Sequence, residues 1–153
     1  MHHTLKAATA LVVAGLATSA LAQERGGTLN FARYDGSNLI DPIYAARNPD
    51  IWMVGSFFDT LLRPSADGNG VEPGLAESHS VSEDGKTVTL TLREGLTFSD
   101  GSPLTGYDVV FSLARARNPD LGPWANLLGT IGSVSADGRE VTVTLTTPDP
   151  TIL

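Results

Sequence analysis

SEDGKTVTLTL, residues 82–92, and SADGREVTVTL, residues 135–145, match in frame and share one pattern. In each stretch an Asp-Gly pair predicts a tight turn, and the run after it alternates between apolar and polar residues. The apolar positions, which lie on one face of each run, are Val88, Leu90, Leu92, Val141, Val143 and Leu145. An alternation of period two predicts a strand with one buried face.

Each copy follows a segment that can pair with it, around Ser80–Ser82 for the first and Ile131–Ser135 for the second. The pattern therefore predicts two similar hairpins in one antiparallel sheet. A repeat architecture needs at least about three stacked units. The segments between the two copies are also unlike, so we do not expect a solenoid.

Two helices are predicted outside the hairpins. Asn48 as N-cap and Pro49 at the first helical position begin one, with apolar residues at spacings of three and four and Arg63–Pro64 as its end. Its expected buried face consists of Ile51, Val54, Phe58, Leu61 and Leu62. The second spans about residues 106–117, with Thr105 as N-cap and Asp108 where a capping box places its acid.

Shorter elements complete the prediction. A first strand runs from about Leu29 to Arg33, and a loop rich in turn formers follows it over residues 36–49. Another short strand is expected at Leu96–Phe98, turning at Asp100-Gly101.

The first 22 residues are typical of a secretory signal, with Lys6 before an apolar run and the small-x-small pattern Ala20-Leu21-Ala22 at its end. The run is shorter than the roughly 20 apolar residues that span a bilayer. We expect cleavage after Ala22, export to the periplasm, and a mature region over residues 23–153. With no cysteine in the chain, neither a disulfide nor a lipid anchor at the cleavage point is expected.

The charge balance disfavours nucleic acid or anionic lipid as a partner, because 17 acidic residues outnumber 10 basic ones. Beyond the leader only His79 is available as a histidine, and in an extended run Ser78 and Ser80 point away from it. No nucleophile elbow, calcium loop or phosphate loop is present. The sequence therefore predicts no enzyme, no metal site and no cofactor.

Three elements resemble the N-terminal part of the family 5 solute-binding proteins of dipeptide and oligopeptide ABC transporters. They are FFDTLL (57–62), VEPGLAESHSVSEDGKTVTLTLREG (71–95), and FSDG with PLTGYDVVFSL (98–101 and 103–113). The likeness extends from about Gly26 to Leu153. The family usually has His where this chain has Ser99 and Ala where it has Gly106, and glycine there should weaken the helix start by up to about 1 kcal/mol.

The resemblance implies an α/β fold of the two-lobed, class II periplasmic binding protein type, of which residues 23–153 form only the N-terminal part of lobe I with its extra β-rich subdomain. In the family the loop leaving the first strand contributes to the ligand cleft. The ligand-contact residues implied here are Arg33, Tyr34, Asp35 and Asn38. The alternative is that Tyr34 packs internally and the charges are solvated.

The implied function is a monomeric extracytoplasmic component of an ABC importer that captures peptides and delivers them to permease and ATPase subunits. A sensor or chaperone-like binding protein that presents its ligand is the alternative. The chain stops at TPDPTIL (147–153) just as a new helix could begin, so a non-functional truncated fragment of a longer protein is a further alternative.

The signal sequence predicts a measurable N-terminus. Mass spectrometry of exported protein should find a chain that begins at Gln23, because signal peptidase cleaves after the small-x-small pattern. Exported material that retains Met1 would contradict this prediction.

Overall fold

The computed structural model describes residues 26–28, 30, 32, 35–37 and 40–153. The chain divides into two compact units, residues 1–33 and 34–153, and every element below belongs to the second. The predicted signal peptide lies outside the described residues, and so do positions 29, 31 and 33 of the predicted first strand. Among the described residues no helix is both long and apolar enough to cross a membrane.

The two predicted hairpins are confirmed, and they form one antiparallel sheet. The order of the elements is α1 (Asn48–Phe57), β1 (Leu62–Pro64), β2 (Val71–Pro73), β3 (Ala76–Val81), β4 (Thr87–Leu92), α2 (Gly106–Ala116), a 3-10 turn (Pro123–Asn126), β5 (Ile131–Asp137) and β6 (Glu140–Leu145). The four-stranded sheet has the order β3-β4-β6-β5, so the two copies of the repeat pair with each other at its centre. Strands β1 and β2 form a separate two-stranded sheet.

The central pairing has a local two-fold symmetry that the repeat produces. Thr89 and Thr142 occupy the same position in the two copies, and they lie opposite each other in the register of β4 and β6. The backbone N–H of Leu145 donates to the Lys86 carbonyl at 2.7 Å, and at the equivalent place Leu92 donates to Arg139 at 2.9 Å. Each outer strand also has a bulge at the matching position, between Ala76 and Ser78 in β3 and between Ile131 and Ser133 in β5.

The two Asp-Gly turns differ although their sequences match. Between β3 and β4 the Ser82 hydroxyl donates to the Asp84 carboxylate and accepts from Thr87 N–H, which closes a six-residue turn. The same arrangement joins β1 and β2, where Ser65 and Asp67 take these roles. In the second copy Asp137 pairs directly with Glu140, so the turn consists only of Gly138 and Arg139.

One face of the sheet forms the core, as the alternation predicts. The buried side chains are Ala76, Val88, Leu90, Leu92, Val109, Ile131, Val141, Val143 and Leu145. Helix α2 packs on β5 and β6 and contributes Val109 and the half-buried Leu113. The predicted cap is confirmed, because the Asp108 carboxylate accepts the Thr105 backbone N–H at 2.7 Å.

The prediction for the first helix was wrong in its end and in its buried face. Helix α1 ends at Phe57, and Leu62–Pro64 forms β1 instead. Its buried residues are Pro49 and Asp50. Of the expected face, Ile51 and Phe58 are exposed and Val54 is half-buried, while Leu61 and Leu62 lie beyond the helix and pack against the core of the sheet. The N-cap is Arg47 and not Asn48. Spacing alone misled here, because apolar residues at helical spacing bury a face only where another element covers it.

The predicted strand at Leu96–Phe98 was also too long. Only Thr97 forms a β-bridge, with Pro103. The turn between them is confirmed: the Asp100 carboxylate accepts the Ser102 N–H at 2.9 Å, and Gly101 has a φ of +86°.

Gly106 has a packing role that reverses the expectation from helix propensity. A β-carbon at this position would lie 2.7 Å from Ala136 Cβ and 2.9 Å from the Gly138 carbonyl oxygen. Both distances are shorter than a van der Waals contact. Glycine therefore lets the first turn of α2 lie directly on the β5–β6 hairpin.

Replacing Gly106 with alanine should destabilise the protein. The overpacking costs about 1–3 kcal/mol. This outweighs the roughly 1 kcal/mol of stability that the higher helix propensity of alanine would add. Gly55 is the matched control, because it lies in α1, is exposed and has no atom within 4 Å of the place that a β-carbon would take. Gly55→Ala should raise the free energy of unfolding measured in urea, and equal stabilisation by both substitutions would contradict the steric role of Gly106.

Candidate ligand-binding segment

Of the four residues implied as ligand contacts, only Asp35 lies within the described part of the chain; Arg33, Tyr34 and Asn38 lie outside it. Asp35 is exposed, and its carboxylate forms an ion pair with Arg47, the N-cap of α1. An exposed ion pair contributes little to stability. Its effect is to fix the direction of the Asp35 side chain.

Asp50 makes a second connection between this region and α1. It is 1% exposed, lies in the first turn of the helix, and accepts a hydrogen bond of 2.9 Å from the Ser37 hydroxyl. The positive end of the helix dipole favours a carboxylate in the first turn. Two polar contacts thus join residues 35–37 to the start of α1.

The anchored segment, defined here as residues 40–47, is fixed to α2 by Asp41. Arg115 Nη2 donates to Asp41 Oδ2 at 2.9 Å, and the Ile43 backbone N–H donates to Oδ1 at 3.0 Å. The hydrogen bond from Arg115, followed by that from Ile43, lowers the pKa of Asp41 below its ordinary value. The carboxylate therefore remains charged, and both oxygens remain occupied, at neutral pH.

The 3-10 turn holds the other side of the anchored segment. Trp124 Nε1 donates to the Pro42 carbonyl at 3.1 Å. Gly122 lies so close that a β-carbon there would be 2.1 Å from the Ile43 carbonyl oxygen. Ile43 and Ala45 are buried, while Ile40 and Tyr44 remain exposed. The segment is thus a fixed strip of backbone that presents two exposed apolar side chains.

The structure does not bring His79 together with its neighbouring serines. His79 lies exposed on the edge strand β3, and Ser78 and Ser80 pair with Thr91 and Thr89 on the other face of the sheet. Among the described residues no group of three His, Asp or Glu side chains could hold a metal ion.

The sequence pattern of the bacterial extracellular solute-binding proteins, family 5 Middle, matches residues 70–153. The matched range contains the four-stranded sheet, α2 and the 3-10 turn. The chain belongs to this family. Its fold is part of the α/β fold of family 5 binding proteins.

Relatives of this family 5 chain include the dipeptide-binding protein of Lactococcus lactis, which is 35% identical over 115 residues, 64% of this chain and 21% of the relative. The periplasmic murein peptide-binding protein MppA of Escherichia coli is 30% identical over 142 residues, 85% of this chain and 26% of the relative. The chain thus spans about a fifth to a quarter of the length of these relatives. Both relatives are named as binding proteins and neither as an enzyme.

Solved structures give the same assignment. A binding protein from Agrobacterium tumefaciens in complex with mannopinic acid has a TM-score of 0.67 and 33% identity, covering 72% of this chain and 24% of that chain. The unliganded, open form of MppA has a TM-score of 0.68 and 28% identity, covering 76% and 26%. The family 5 fold is therefore shared by proteins with chemically different ligands.

Sequence reasoning missed the residues that hold the anchored segment. The local pattern indicates Asp41 only as a turn former, and Arg115 only as a cation near the end of a helix. The two residues are separated by 74 positions, and Trp124 and Pro42 by 82. No local pattern signals such pairs. The one available signal was Trp124 itself, since a partly buried indole N–H usually has an acceptor.

Neutralising Asp41 should loosen the anchored segment. Asp41→Asn removes the charge that attracts Arg115, so amide exchange at residues 43–45 should become faster at neutral pH. In the parent chain folding lowers the pKa of Asp41, so this protection is complete at any pH above the pKa of aspartate in the unfolded chain, about 4. The protection is lost only as the pH falls below that value.

Hydrogen exchange with peptide-level mass spectrometry is the measurement, and Asp120→Asn is the control. Asp120 is exposed, lies just beyond α2 and also carries one negative charge. If both variants gave the parent rate of exchange at residues 43–45, the anchoring role of Asp41 would be refuted.

Proposed function

We propose that this chain forms the N-terminal part of lobe I of a two-lobed extracytoplasmic binding protein, which captures peptides and delivers them to the permease and ATPase subunits of an ABC importer. The observation that carries the proposal is the family 5 match over residues 70–153, which coincides with the sheet and α2. The proposal includes a cleavable leader, a periplasmic location and a monomeric state. It includes no cofactor.

Peptides are the favoured ligand class because the relatives' names agree on it. They are named as dipeptide-, glutathione-, murein peptide- and oligopeptide-binding proteins. One solved neighbour, from Haemophilus influenzae, is in complex with the peptide RPPGFSPFR and is 27% identical. Mannopinic acid and a nickel–histidine complex, found with other neighbours, are the competing ligands to include in a test.

The anchored segment gives the proposal a physical basis. Residues 35–37 lie before it in the chain, separated from it by positions 38 and 39, and Asp35 and Ser37 are themselves bonded to the start of α1. A binding loop that is already ordered loses less conformational entropy when a ligand arrives. Tyr34 and Asn38 flank these fixed residues, and we propose that they contact the ligand with Arg33 and Asp35.

Tyr34→Ala tests the proposed site. The protein is this chain, together with any coding sequence that continues its reading frame, titrated calorimetrically with di-, tri- and nonapeptides, mannopinic acid and nickel–histidine. Loss of an aromatic contact at the centre of a site costs about 2 kcal/mol, so peptide affinity should fall roughly 30-fold. Tyr107→Ala is the control, because Tyr107 is 71% exposed on α2.

Two outcomes would count against the proposal. Tight binding of a non-peptide ligand alone would overturn the peptide assignment and leave the binding role intact. Equal peptide affinity of parent, Tyr34→Ala and Tyr107→Ala protein would remove Tyr34 from the site.

A further inference from the structure

Asp-Gly pairs are chemically special because glycine has no side chain to shield its amide nitrogen. That nitrogen can attack the preceding aspartate side chain and close a five-membered ring. The chain contains five such pairs, at Asp35, Asp67, Asp84, Asp100 and Asp137. Their intrinsic reactivity is alike, since each aspartate is followed by glycine, so the folded structure decides which of them react.

Three of the pairs are held at both reacting groups. The carboxylates of Asp67, Asp84 and Asp100 each accept a backbone N–H two residues ahead, at 2.9–3.1 Å, and a serine hydroxyl. The amide nitrogens that would attack are occupied as well, since Gly68, Gly85 and Gly101 each donate to a carbonyl three residues back. The Asp35 carboxylate is paired with Arg47.

Asp137-Gly138 lacks these restraints. Within the described part of the chain neither the Asp137 carboxylate nor the Gly138 N–H has a hydrogen-bond partner, and both residues are exposed. Gly138 is the first residue of the two-residue turn between β5 and β6, where its φ is +57°. No atom lies within 4 Å of where its β-carbon would be, so nothing packs against this side of the turn.

We propose that Asp137-Gly138 is the Asp-Gly pair at which this protein isomerises to isoaspartate. The Gly138 nitrogen loses its proton to solvent and bonds to Asp137 Cγ, while the Cγ–O bond breaks and the oxygen leaves as water. Water then adds to the resulting succinimide at the Asp137 main-chain carbonyl and breaks that carbon's bond to nitrogen. One water leaves and one returns, and no electron is transferred.

The modification would insert a methylene group into the backbone beside residues that contact the other hairpin and α2. Arg139, the next residue, joins the two hairpins by donating to the Leu92 carbonyl at 2.8 Å and to Glu77 at 3.0 Å. The Gly138 carbonyl oxygen forms part of the surface on which Gly106 of α2 lies. Isomerisation therefore weakens both the contact between the two hairpins and the packing of α2 on the β5–β6 hairpin.

Incubation of the whole chain in heavy-oxygen water at neutral pH tests the proposal, because each succinimide that hydrolyses incorporates one heavy oxygen. Peptide mapping should show label at Asp137 accumulating several-fold faster than at Asp35, Asp67, Asp84 or Asp100. The peptide should also lose cleavage by a protease that cuts before aspartate but not before isoaspartate. Deamidation at Asn69-Gly70 changes the mass differently and is scored separately.

Denatured protein and two variants complete the test. In denaturant the five pairs should label at similar rates; the same preference for Asp137 there would overturn the structural explanation. Asp137→Glu should abolish labelling at this position, because glutamate does not close the five-membered ring readily. Ser82→Ala removes a hydroxyl bonded to Asp84 and should raise labelling there. Native labelling that is equal at all positions, or fastest at any Asp-Gly pair other than Asp137-Gly138, refutes the proposal.

Discussion

The rest of the described fold depends on the pairing of β4 with β6. This pairing brings the two copies of the repeat together around Thr89 and Thr142, and it places Leu90 opposite Val141 and Val88 opposite Val143. All four of these apolar side chains are at most 4% exposed. Because the side chains of a strand alternate with period two, a slip of one residue between β4 and β6 would move the apolar row of the slipped strand to the solvent side. The register is therefore strongly specified by burial.

Local sequence predicts the hairpins well and their turns less well. The alternation at residues 87–92 and 140–145 is strong enough to identify both central strands and their buried faces. The same Ser-x-Asp-Gly motif nevertheless closes a six-residue turn in one copy, whereas in the other only its glycine belongs to a two-residue turn. In the second copy Ser135 pairs with Thr142 as part of β5. Strand pairing decides the turn, and pairing is not a local property.

The features that sequence could not predict all depend on contacts between distant residues. The apolar pattern of α1 indicated a buried face that includes Ile51, but the structure leaves Ile51 exposed and buries Asp50. Helix propensity predicts that Gly106 lowers stability, but glycine is favourable here because it lets Ala136 lie close to the helix. At the candidate site, family resemblance implied Asp35 but could not supply Arg47 or Asp50 as the residues that hold its neighbourhood.

Helix α2 links the sheet to the anchored segment, and both of its ends are fixed to the same hairpin. Gly106 places its start against the β5–β6 turn, and Arg117 near its end donates to the Gly132 carbonyl at the β5 bulge. Arg115, one half-turn earlier, donates in the other direction to Asp41. A change at either fixed end would shift Arg115 without breaking the β4–β6 ladder. The position of the candidate site therefore depends, through α2, on the β5–β6 hairpin.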